Sequence, residues 1–131
     1  MKQYLIAILS ALAAMLIYGA WAAYANFEHG RHAWIMAAIV QGVYAFISTL
    51  SVTACAQWIY VKLGQGAKGV AIGFSISFAL MVAIPIGVHS WAGTPDIFQT
   101  ILPGLIWGAL YLFGYLVLQE KSFRQAGNEV L

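Results

Sequence analysis

The sequence predicts an all-α fold, an integral membrane four-helix bundle with the N and C termini both cytoplasmic. Three observations carry that prediction. Of 131 residues, 63% are apolar and only 8% are charged, and the mean hydropathy is +0.84; a soluble globular domain carries roughly 25% charged residues. The chain offers four uncharged stretches, 4–25, 33–61, 69–88 and 97–118, matching the about 20 apolar residues that a helix needs to cross a bilayer core. With four spans, Lys2, Lys62, Lys68, Lys121 and Arg124 fall on one side and Arg31 alone on the other, a bias that the positive-inside rule reads as cytoplasmic. Trp21, Trp34 and Trp91 then anchor the outer boundary, and Tyr4, Trp58 and Tyr60 the inner one. The expected location is the cell inner (plasma) membrane, multi-pass, with residues 1–131 forming a single domain.

The first helix is expected over about 3–26. Its apolar run exceeds the roughly 7–15 residues of a signal-peptide core, so it is read as a retained span. Ala7, Ala11, Ala14, Gly19 and Ala23 supply the small residues through which membrane helices approach one another. The second helix, about 32–62, carries Gln41, Tyr44, Ser48, Ser51 and Cys55 at alternating steps of three and four, which places them on one stripe. Thr49, Thr53 and Gln57 mark another face. Serine and threonine in such helices bond back to their own carbonyls or to a neighbour; Gln41 and Gln57 are harder to bury and are the better site candidates.

The third helix, about 68–89, has Gly69, Gly73 and Ser77 at four-residue spacing, with Pro85 and Gly87 near its end. The fourth, about 95–119, opens on Thr94-Pro95-Asp96, read as N-cap, first-turn proline and an acid at the positive end of the helix. It carries Gly104 and Gly108 as a small face. Pro85 and Pro103 are expected to bend their helices and open space between them, with Trp107 walling a pocket open outward.

Several function classes drop out. Hydrophobicity is too high for disorder, and a net charge of +2 without a basic cluster gives nucleic acid no footprint. A lone cysteine, Cys55, leaves no internal disulfide. The four apolar stretches contain no Asp, Glu, Lys, Arg or His, which argues against proton-coupled or cation-coupled transport. No filter-like loop or mid-span histidine suggests a channel or haem ligation, and no cofactor is expected.

One concentration of chemistry remains: His29, His32 and His89 fall on the outer side with Glu28, Arg31 and Asp96. As a metal site, His29, His32, His89 and Asp96 offer nitrogen and oxygen ligands, without any HExxH or cysteine motif to strengthen the reading. As a catalytic site, Glu28, His29, His32 and His89 offer a general base, without a matching nucleophile motif. As a lipid-headgroup site, Arg31, His29, His32 and His89 near Trp34, Trp91 and Trp107 would hold a phosphate, with Gln41 and Tyr44 lining the space beneath. The leading expectation is a non-enzymatic subunit or accessory factor that binds or helps translocate a lipid or lipid-linked molecule at its outer face. A homo-oligomer or a membrane-protein partner would cover the second helix's polar stripe. The alternatives are a membrane enzyme with an outward-facing His/Glu site and a purely structural subunit of a larger complex.

Overall fold

A computed structural model describes residues 2–130 of the chain. The apolar stretches form α1 (Lys2–Ala25), α2 (Arg31–Leu63), α3 (Gly66–Ala92) and α4 (Ile97–Glu129), with one 3-10 turn at Phe27–His29 between the first two. Each helix is long and apolar enough to cross a membrane. Leu16, Ile17, Ile47 and Leu110 are more than half exposed, a surface suited to lipid rather than water.

Consecutive helices pack side by side, and α4 also meets α1 and α2; among the described residues α1 and α3 do not touch. The pair α2 and α4 therefore forms the short diagonal of the bundle. Short connections make neighbours antiparallel. The α1–α2 and α3–α4 connections share one end, the loop end, while both termini and the α2–α3 connection share the other, the terminal end.

Small residues set the approach of the helices. A Cβ on Gly19 would lie 3.1 Å from the Ala38 carbonyl oxygen, and one on Gly42 would lie 3.2 Å from that of Met15, so α1 and α2 meet backbone to backbone. In the terminal half, Ala56, Tyr60, Leu112 and Leu116 form a buried core against Phe74 and Phe78. Gly73 admits Leu116 to that core, its Cβ position lying 3.5 Å from a leucine methyl. The Tyr60 hydroxyl donates to Glu120 Oε2 at 2.5 Å, and the Gly66 amide donates to the same oxygen at 2.9 Å. This carboxylate ties three helices at the terminal end.

Three helix ends differ from the expectation. α3 passes Pro85 and runs on to Ala92, where Gly93 in the left-handed region (φ 72°) closes it and the Thr94 amide donates to the His89 carbonyl at 3.0 Å. α4 starts at Ile97, with Asp96 rather than Thr94 at the N-cap and no capping bond from its side chain. The Thr94 hydroxyl is engaged elsewhere, with His89. α4 also continues to Glu129, because no breaker intervenes before Gly127 and Arg124 Nε donates to Glu120 Oε1 one turn away at 2.5 Å.

Candidate functional site

Both internal prolines lie in the loop half, and each leaves a carbonyl without its helical partner. Proline has no N–H, so the oxygen four residues earlier is released, and in a membrane such a group must find another donor. For Pro85 that oxygen belongs to Met81, and the Tyr44 hydroxyl of α2 donates to it at 3.3 Å. For Pro103 it belongs to Gln99, and the Trp21 indole N–H of α1 donates to it at 2.9 Å. Both helices run uninterrupted through their prolines. Each proline thus becomes a point of attachment for a neighbouring helix.

Between the four helices lies a cavity of about 530 Å³, lined by Tyr18 of α1, Gln41, Tyr44 and Thr49 of α2, Pro85 of α3, and Gly104, Trp107 and Tyr111 of α4. A cleft of about 720 Å³ at the α1–α4 seam shares Tyr18 and Trp107 with it. A groove of about 470 Å³ between α2 and α3 shares Tyr44 and Met81 with it. Aromatic side chains thus stand between the interior and the lipid-facing surface on both sides, and Trp107 is 64% exposed.

Gln41 is the polar centre of this cavity, at 2% exposure. Its Oε1 lies 2.8 Å from His89 Nε2, and His89 Nδ1 lies 2.8 Å from the Thr94 hydroxyl oxygen. This amide orientation sets the tautomer: Nε2 carries the proton and donates to Gln41, while Nδ1 accepts from Thr94. His89 is fully buried, and both nitrogens are satisfied in the neutral ring. The Gln41 Nε2 group makes no hydrogen bond among the described residues; it faces the Gly104 wall, where a Cβ would sit 3.6 Å away.

The histidines predicted to gather at one surface are separated. His89 turns into the bundle, because α3 continues beyond it and places it on the same face as Gly73, Ser77 and Pro85, all buried. His29 Nε2 instead meets Asp96 Oδ2 at 2.6 Å, with both side chains about two-fifths exposed. Glu28, His29 and Asp96 share a surface pocket with Tyr24 and Gln99. Arg31 and His32 are exposed and make no side-chain hydrogen bond or ion pair among the described residues. Trp34 packs beside Phe27, with ring centroids 6.2 Å apart, and Trp91 is 88% exposed. Among the described residues no three His, Cys, Asp or Glu side chains converge as a metal-binding group. The arrangement required by the metal and multi-histidine readings is not assembled.

On the α2 stripe, Ser48 donates to the Ala45 carbonyl and Ser51 to that of Ile47, and Thr49 of the other polar face also donates to Ala45, leaving the Gln41 amide with free hydrogen-bonding capacity. Three contributors were not singled out from sequence. Tyr18 carries no local signal beyond being aromatic. Thr94 reads in the sequence as an N-cap. Asn26, fully buried, donates through Nδ2 to the Ala22 carbonyl at 2.9 Å and the Thr100 hydroxyl at 2.7 Å, and accepts the Asp96 amide at 3.1 Å. It latches the α1–α2 connection to the start of α4. The one signal in the sequence is an asparagine placed directly after an apolar run.

Fold and site together define a multi-pass class of protein: four apolar helices enclosing a small, largely apolar cavity. Compared with known proteins, the chain matches no family model, no curated protein and no solved structure.

Proposed function

We propose that this chain is a non-enzymatic inner-membrane protein, with both termini cytoplasmic, that binds or helps translocate a lipid or lipid-linked molecule as a subunit or accessory factor. The observation that supports this reading is the cavity of about 530 Å³ between the helices, adjoining the α1–α4 cleft behind Tyr18 and Trp107. An apolar molecule dissolved in the bilayer would enter sideways between those two side chains, without crossing a polar surface. The non-enzymatic part rests on His89, the one histidine beside the cavity: both its ring nitrogens are engaged, by Thr94 and Gln41. The apolar groove between α2 and α3 is the surface offered to a second copy or to a membrane partner.

Native mass spectrometry of the gently purified protein tests the reading. The expected result is retention of a specific lipid or lipid-linked species, enriched over its share of the membrane extract. Bound lipid in the same proportions as the bulk extract would remove the proposal.

A further inference from the structure

The chemistry of the cavity narrows what it holds. With its Oε1 turned to His89 Nε2, the Gln41 amide leaves its N–H2 group, and not its carbonyl, without a partner beside the Gly104 wall. That N–H2 group has no side-chain or backbone partner among the described residues and lies on the cavity wall, so an occupant with an acceptor gains a hydrogen bond there. Among the described residues no Lys, Arg or His lines the cavity. A phosphate or carboxylate would lose its hydration there with no opposite charge in return, so the acceptor must be uncharged.

Position along the helix agrees. Gln41 lies ten residues past Arg31 on α2, about 15 Å from the loop end of that helix at 1.5 Å per residue, so an occupant that reaches its amide sits inside the bundle rather than at its loop-end surface. The walls of the cavity include Tyr44, Trp107 and Tyr111, flat faces that favour a conjugated ring or an acyl chain over a hydrated group.

From this geometry we infer that the cavity binds an uncharged carbonyl group borne on an apolar molecule, a prenylated quinone or a neutral acyl ester, with the Gln41 amide as the hydrogen-bond donor. The inference rests on the lipid-binding reading and deepens it. Gln41 is the residue that selects the ligand, and His89 is a positioning residue that keeps the donor face of the amide turned to the cavity.

Isothermal titration of the full-length protein in detergent tests it with three probes: a decyl-substituted benzoquinone, dioctanoylglycerol and decyl phosphate. At least one carbonyl probe should bind more tightly than decyl phosphate, and the tighter of the two identifies the source of the carbonyl. Gln41→Met, of similar length without the donor, should weaken that binding by about tenfold, the effect of losing one hydrogen bond. Gly104→Ala, whose methyl would rest in ordinary contact against the amide at 3.6 Å, should weaken it as well while leaving the fold intact. Decyl phosphate binding as tightly as the carbonyl probes, or carbonyl binding undiminished in Gly104→Ala and in folded Gln41→Met, would overturn the inference and leave lipid binding standing. If no probe binds and no specific lipid co-purifies, both fall.

Discussion

The two halves of this bundle differ in what fills the space between the helices. In the terminal half, Ala56, Tyr60, Leu112 and Leu116 fill the interior, and Gly69 and Gly73 let the helices close on them. In the loop half the interior is left open, and the helices are tied around it by single polar bonds: Trp21 to Gln99, Tyr44 to Met81, His89 to Gln41, and Asn26 to Thr100. Association in lipid draws on packing and on interhelical hydrogen bonds, since apolar burial gives little there. A membrane protein that keeps a cavity gives up packing in that region. Around its cavity the loop half therefore depends on hydrogen bonds, with close fit kept at the α1–α2 contact of Gly19 and Gly42. The terminal half depends on a filled core with a polar tie at Glu120.

The same substitution made in each half should separate the two plans most sharply. At Gly69 a Cβ would fall 1.7 Å from the Gly64 carbonyl oxygen, a backbone atom that cannot swing aside. Gly69→Ala should therefore destabilise the protein by about 3 kcal/mol or more, or prevent folding. Gly104 faces the cavity, where the added methyl meets nothing closer than 3.6 Å, and Gly104→Ala should be neutral or gain up to about 1 kcal/mol from helix propensity. Thermal unfolding in detergent reads both. Equal losses at the two positions would mean that the loop half is packed as tightly as the terminal half.

Next in size is the latch at the loop end. Asn26→Ala removes two donated bonds and leaves the Asp96 amide without its acceptor, so a loss of about 2 kcal/mol is expected. Hydrogen exchange should speed up in the α1–α2 and α3–α4 connections and stay unchanged around Tyr60 and Leu116. Faster exchange at both ends would show that the halves do not stabilise themselves separately.

What was legible in the sequence follows the same division. Helix number and the small faces at Gly69, Gly73, Ser77 and Gly108 depend on local composition and spacing, and they reappear in the packing of the bundle, whereas Gly104 lies on the cavity wall. The loop half depends on partners far apart in the chain. His89 stood with His29 and His32 because all three fall at one end, yet continuing the four-residue step of Gly69, Gly73 and Ser77 through Met81 and Pro85 arrives at His89. That step was readable and marks the buried face. The engagement of Trp21 with Gln99, 78 positions away, had no local signal. A proline announces that a carbonyl is free but not which side chain takes it.

The smallest expected effect bears on that last contact. Trp21→Phe keeps the ring but removes the indole donor, and should cost about 0.6 kcal/mol, the average for a hydrogen bond between membrane helices. If Trp21 stabilises the protein by capturing the oxygen that Pro103 releases, Pro103→Ala should cancel most of that cost. Alanine restores an N–H at position 103, which bonds Gln99 within the helix and leaves the indole redundant. A double-mutant cycle should then return a coupling close to the whole effect of Trp21→Phe. An unchanged cost in the Pro103→Ala background would mean that Trp21 acts by ring packing in the α1–α4 cleft, and the loop half would then depend on fit in the same way as the terminal half.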